Sequence, residues 1–246
     1  MKYMGSKSRI AKHIVPIIQY YIDKTGFNTY IEPFVGGANI IDKIHCDKKI
    51  GIDINEYLIA LLKRVQSNED LLDEVDRDFY NEVRANYKEN KYEDWLVGNV
   101  GFLASYNGRW FDGGYAPTGY EKTNKGLRLR NYYNEAKNNL LKQAPRLYNI
   151  DFEHKNYLML SPKNAVIYCD PPYQNVKQYA NSVDFDYENF WNTMREWSKD
   201  NIVLISELQA PEDFECVWEQ EVSRSIKATD KSTATEKLFI YRGNKI

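Results

Sequence analysis

Three cysteines and three histidines in 246 residues leave little material for a metal centre or a disulfide framework. Cys46, Cys169 and Cys216 are odd in number and far apart, no C-x-x-C pair occurs, and the histidines are equally scattered. Neither a zinc site nor paired cystines are supported, and no metal is expected. No run approaches the 18 apolar residues of a helical membrane span. The polar, basic start at residues 1–9 is not followed by the apolar stretch of a secretion signal, so a soluble, cytoplasmic protein is expected. Internal repeats and low-complexity tracts are missing. So is any G-x-G-x-x-G, which makes a dinucleotide-dependent oxidoreductase the least favoured enzyme class. The formal net charge of −2 argues against a general nucleic-acid binder.

What is present is ample apolar material, 43% of the chain, and twenty tyrosines with five tryptophans, most of which core packing would absorb. Residues 8–23 carry isoleucines at helical spacing, and Pro16 is expected to bend or interrupt that helix. Residues 28–32 read as a short buried strand running into Pro33-Phe34-Val35-Gly36-Gly37-Ala38, with a helix expected through Ile40 and Ile44. Residues 49–54 read as a second strand and 56–66 as a second helix, the alternation of a parallel α/β sheet. The pattern then stops for about a hundred residues, helical and acidic over 67–104 and aperiodic over 105–131. It resumes with strands at 165–169 and 201–206, a helix at 187–199, and an antiparallel pair at 217–226 and 236–241. The expected organisation is a sheet domain, 1–66 and 147–246, interrupted by a mainly helical insertion, 67–146.

Three features carry chemistry. Glycines between a strand and a helix allow a tight turn and close approach of a ligand, although Gly36-Gly37 serves equally as a simple turn. Asp53 ends the next strand 17 residues beyond Gly36, a spacing that suits ribose hydroxyls; it also suits a helix cap. Asp170-Pro171-Pro172-Tyr173 follows a buried strand, and the two prolines fix the backbone and remove both amide donors. A carboxylate, a rigid carbonyl and an aromatic plane within four residues are what an exocyclic amine on a heteroaromatic ring requires. Two acceptors on the NH2 favour a pyramidal nitrogen with a free lone pair, and the stacked ring aligns it.

Four stretches in this order resemble the adenine-N6 DNA methyltransferases of the Dam type, the alpha group or D12 class. They are Lys2-Tyr3-Met4-Gly5-Ser6-Lys7, similar to the family's Lys-Trp-Ala-Gly-Gly-Lys, then residues 32–37, Asp53-Ile54-Asn55, and residues 168–173. The resemblance implies a Rossmann-like, S-adenosylmethionine-dependent methyltransferase sheet with an inserted target-recognition domain. It implies that Tyr3, Lys7, Phe34, Gly36, Asp53 and Asp170 contact the cofactor. It also implies that Asp170 and Pro171 accept from the adenine amine while Tyr173 stacks on the base. Ser6 for glycine, Tyr3 for tryptophan and Gly-Gly-Ala for Gly-Ala-Gly are its departures from the family pattern.

A base inside a duplex reaches such a site only by rotating out of the stack. The window 105–146 holds eight basic and three acidic residues, net +5, which leaves −7 for the remainder. Tyr106, Asn107, Arg109, Trp110, Arg128 and Arg130 are its candidate DNA contacts, with Trp110 or Phe111 available to fill the gap left by the extruded base. A second basic patch, Arg224, Lys227, Lys231 and Lys237, lies in the C-terminal hairpin. The expected partners are double-stranded DNA and a cognate restriction endonuclease, in a bacterial or phage setting, with a monomer or weak dimer as the working state. Methylation of RNA adenine or of cytosine N4, and a degenerate DNA-binding regulator, are the competing readings.

Overall fold

A computed structural model describes residues 1–123, 126–173, 185–227 and 230–244, with the backbone alone for 223–234. In chain order its elements are α1 (Ala11–Thr25), β1 (Thr29–Glu32), β2 (Lys48–Asp53), α2 (Glu56–Gln66), α3 (Arg77–Asn86) and α4 (Asp94–Gly98). Then follow β3 (Gly119–Thr123), β4 (Gly126–Arg130), α5 (Tyr132–Leu141), β5 (Ile150–His154) and β6 (Ala165–Cys169). The chain closes with α6 (Tyr187–Trp197), β7 (Ile202–Glu207), β8 (Phe214–Lys227) and β9 (Asp230–Tyr241).

Seven strands form one sheet in the order β5-β2-β1-β6-β7-β9-β8. Five run parallel, β9 pairs antiparallel with β7, and β8 pairs antiparallel with β9. β6 (Ala-Val-Ile-Tyr-Cys) and β7 (Ile-Val-Leu-Ile-Ser-Glu) are buried along their whole length, as parallel strands covered on both faces must be. Alternate residues supply two separate apolar layers. Tyr30, Val166, Tyr168 and Leu204 face α1, α2 and the insertion; Ile31, Ile167, Cys169 and Ile205 face Phe190, Trp191, Met194 and Trp197 of α6. The expected α/β fold is therefore present, with helices on both faces of a largely parallel sheet.

Several local expectations give way. Of the bend or interruption expected at Pro16, the interruption does not occur: α1 runs through it as one helix. A proline inside a helix costs about 3 kcal/mol, but Ile14, Ile18 and Ile22 are buried at four-residue spacing along the same face. At about 2 kcal/mol for each buried isoleucine, packing offsets the lost hydrogen bond. After the glycine turn only a short 3-10 turn, Ile41–Lys43, forms in place of the expected helix; Ala38 sits there at a φ of 54°, outside helical geometry. Strand β5 lies in a stretch for which no strand was expected, and the hairpin β3–β4 occupies the supposedly aperiodic window.

Residues 67–146 add no strand to the seven-stranded sheet. They nonetheless share its apolar layer through Leu71, Val75, Tyr80, Val97, Leu103 and Leu140. One close approach is at Gly98, where an added Cβ would meet the Tyr57 carbonyl oxygen at 2.1 Å and Leu61 Cβ at 3.0 Å. Among the described residues no helix is long and apolar enough to cross a membrane. Because the obstacle at Gly98 is backbone, Gly98→Ala should push α4 off α2 and destabilise the fold by about 1–3 kcal/mol. A thermal melt should then fall by several degrees; an unchanged midpoint would show that this contact does not hold the insertion down.

Candidate active site

β1 is flanked by β2 and β6 in parallel register, so the carboxyl ends of the three strands lie side by side. At this edge the chain connections reverse direction across the sheet, the place where open α/β folds bind ligands. The β1 end carries Phe34 and Gly36, the β2 end carries Asp53, and the β6 end carries Asp170. The Asp53 carboxylate accepts the Gly36 amide through Oδ2 at 3.0 Å and the Asn55 amide through Oδ1 at 3.0 Å. Burial raises its pKa above the ordinary aspartate value, against the pull of those amide bonds. Each oxygen keeps a lone pair, so the group can still receive a diol. Beside it Ile54 is 61% exposed, an apolar surface at the open edge. Phe34 packs its ring against Tyr157 at 5.1 Å and against Phe185 and Phe190 at 6.0 Å.

The glycine turn is shaped by the N-terminal segment. Gly36 adopts a φ of 48°, and a Cβ there would meet the Tyr3 ring at 2.9 Å; one at Gly37 would meet Tyr3 Cβ at 2.8 Å. Tyr3 also lies against Phe102, with ring centroids 5.8 Å apart. The two glycines thus seat Tyr3, a packing requirement that sequence spacing did not suggest.

Four residues later the same segment delivers Lys7, whose side chain is nearly buried. Its Nζ pairs with Asp170 Oδ1 at 2.8 Å and sits 4.5 Å from the centre of the Tyr173 ring. The Tyr173 hydroxyl donates to Glu236 Oε2 at 2.7 Å. Burial raises the Asp170 pKa; Lys7 opposes that shift and the Glu236 charge adds to it. Burial, together with the negative charges of Asp170 and Glu236, raises Tyr173 well above the ordinary phenol value and keeps the hydroxyl a donor. Beneath them, burial raises Glu32 well above the usual carboxylate range, although the Tyr30 hydroxyl donates to it at 2.7 Å. Chemically, this corner holds an N–H donor between a carboxylate and an aromatic face, next to the buried Pro171.

Tyr3, Lys7, Gly36, Asp53, Asp170 and Tyr173 are therefore brought to one edge. Ile54, part of a matched stretch but given no role by it, lies beside Asp53, and Glu236 was missed; Glu236 lies 63 residues from Tyr173, and no local pattern links the two. The edge matches the parts of S-adenosylmethionine: a carboxylate with spare acceptor capacity for a ribose diol, an aliphatic surface beside it, and a further carboxylate able to face a cation.

The insertion residues divide. Tyr106 and Asn107 are exposed, Asn107 at a left-handed φ of 58°, and Arg128 is exposed on β4. Arg109 pairs with Asp112 at 2.6 Å. Arg130 forms ion pairs with both Glu121 and Glu135, holding the Glu135 pKa down to about 2. The expectation that Trp110 or Phe111 fills a gap in DNA is corrected. Trp110 stacks on Tyr57 at 5.4 Å and packs against Phe102 at 4.7 Å, and Phe111 is 5% exposed. Gly101 makes room for this, since a Cβ there would strike Trp110 at 2.4 Å. The hairpin instead presents Tyr120 opposite Leu129 and Lys122 opposite Leu127, all exposed.

Comparison with known proteins accords with this geometry. The chain is 25% identical over 218 residues to the type II methyltransferase M.FokI of Planomicrobium okeanokoites, spanning 80% of this chain and 32% of that protein. It is 24% identical over 219 residues to the type II methyltransferase M.MjaIII of Methanocaldococcus jannaschii, spanning 77% and 74%. It is 26% identical over 195 residues to the modification methylase StsI of Streptococcus sanguinis, spanning 70% and 28%. The match thus covers about a third of two of these relatives and three-quarters of the other. The model of the D12 class N6 adenine-specific DNA methyltransferases matches residues 3–206, and with most of its 246 residues inside that match the chain belongs to this family.

Proposed function

We propose that this chain methylates adenine N6 at specific sites in double-stranded DNA, acting on a base turned out of the helix. The reading rests most on one observation: an ammonium, that of Lys7, already sits between the Asp170 carboxylate and the Tyr173 ring face. An adenine amine offers the same N–H donors on a flat ring that can stack. Bound S-adenosylmethionine would supply an electrophilic methyl on a cationic sulfur. Asp53 would hold its ribose, Phe34 and Gly36 would border its methionine part, and Tyr3 and Lys7 would support it from the N-terminal segment.

Asp170 and the Pro171 carbonyl would accept the two amine hydrogens, shifting the N6 lone pair out of conjugation and toward the methyl donor. The Asp170 carboxylate is a natural first recipient of the proton that the new secondary amine must lose. Tyr173 would fix the plane of the base; such orientation is worth several kcal/mol of barrier. Extruding the base costs a few kcal/mol, which DNA contacts must offset. Residues 67–146 act in this reading as the target-recognition insertion, with Tyr106, Asn107 and Arg128 at the surface. The hairpin face of Tyr120, Lys122, Leu127 and Leu129 extends that surface toward a groove. Arg109, Trp110 and Arg130 support it from within. The names of the relatives, type II methyltransferases and a modification methylase, support a restriction–modification setting with a cognate endonuclease; the cytoplasm of a bacterial or phage-infected cell is where this reading puts it.

Radiolabelled cofactor offered to DNA and RNA in parallel, followed by nucleoside analysis, should place label in N6-methyladenine of DNA. Label only in RNA, or in cytosine, would overturn the proposal. Asp170→Ala should lower kcat by at least about 10²-fold while DNA retention stays within about threefold; unchanged turnover would remove Asp170 from the reaction.

The pH dependence has a definite sign. Asp170 offers both oxygens as acceptors, and can take up the amine proton, only when ionised, and its pKa lies above the ordinary value. Transfer should therefore fall as pH drops through that raised value. Lys7 opposes the upward shift, so Lys7→Met should move the acidic limb of kcat/KM to higher pH. A limb that stays put or moves lower would show that this ammonium does not tune Asp170.

A further inference from the structure

Within that reading, we infer that Glu236 is a positioning residue that sets the plane of the Tyr173 ring, and hence of the target base, through the hydrogen bond from the tyrosine hydroxyl. Glu236 lies on β9, outside the span 3–206 that defines the family match. It occupies a particular place on that strand. The last pair between β7 and β9 is Glu207 with Lys237. From Gln220 opposite Glu236 onward, β8 and β9 continue as a two-stranded arm to Lys227 opposite Asp230. Glu236 is thus the first residue of the arm beyond the sheet, and its side chain turns back to Tyr173 Oη at 2.7 Å.

The need for such a restraint follows from the neighbours. Pro171 and Pro172 fix the backbone before Tyr173, but they leave the two side-chain torsions of the tyrosine free. In the structure the ring has Lys7 Nζ over its face and Glu236 at its hydroxyl. An incoming amine competes with Lys7 for the Asp170 carboxylate and for the same ring face. Once the ammonium yields, the bond to Glu236 continues to hold the far end of the ring. A ring that swings carries the stacked base with it, and a displacement of about 1 Å at the reacting nitrogen costs on the order of 10²-fold in rate.

The test is a double-mutant cycle on the full-length protein, with kcat and KM for duplex DNA measured separately. Glu236→Ala and Tyr173→Phe should each lower kcat about 10- to 100-fold with KM for DNA within about threefold, and the double variant should lose no more than either single one. Glu236→Gln keeps an acceptor without the charge and should restore kcat to within about threefold of the parent. Multiplying losses in the double variant, an unaffected Glu236→Ala enzyme, or a Glu236→Gln enzyme as impaired as Glu236→Ala would each overturn the inference. A loss confined to KM would assign Glu236 to DNA binding and overturn it too. If the unsubstituted protein itself transfers no methyl to DNA, it is the proposed function that fails, a result distinct from all of these.

Discussion

Thr29, Lys48 and Ala165 stand abreast at the start of three parallel strands, and the arrangement of the site follows from that register. Each strand is short and largely buried, and each finishes at the same sheet edge with its chemistry on the last residue or just beyond. Asp53 ends β2, Asp170 directly follows β6, and the Phe34–Gly37 turn follows β1. A slip of one residue in any strand would reverse the faces of its side chains and break the match between the two apolar layers. The sheet thus positions functional groups through its core packing, and the loops need only small adjustments.

The edge built this way is crowded with carboxyl groups that burial drives toward their neutral forms. Glu32 lies deepest, with the Tyr30 hydroxyl against it; Asp53 is steadied by two backbone amides; Asp170 leans on Lys7. A cationic ligand at this rim would favour their ionised forms and be held by them, whereas an anionic one would meet repulsion. The same rim makes the N-terminal segment part of the machinery, because the Lys7 ammonium comes from there and Tyr3 seats the turn that donates the Gly36 amide.

How much of this could be read from the sequence depends on whether the signal is local. β1, β2, β6 and β7 are short strands bounded by polar or glycine-rich turns, and α2 follows β2 in the expected alternation, so all five were legible, although the helix is capped by Asn55 and not by Asp53. β5 was not: Ile150-Asp151-Phe152-Glu153-His154 alternates as an edge strand does, but five residues with two apolar ones are too short a run to stand out. Pro16 does not interrupt α1 because the helix is held by contacts on its opposite side. Trp110 misled because an aromatic next to an arginine in a basic window looks available, whereas Gly101 gives it a place indoors. The motif residues at the edge were found by type and order. The Tyr173 bond to Glu236 and the seating of Tyr3 over two glycines were not, because both pair distant residues whose meeting is a product of the fold.

The segment entering at residue 2 is gripped from two sides at successive positions. Gly108 of the insertion lies so near the Lys2 carbonyl that a Cβ there would sit 2.4 Å from its oxygen, and the next residue, Tyr3, fills the space above Gly36 and Gly37. Neighbouring α-carbons are about 3.8 Å apart, so residues around Gly108 and the turn beside Asp53 are indexed to each other through a single peptide unit. A displacement of the loop at Gly108 is therefore felt at the turn beside Asp53, because it must first unseat that tyrosine.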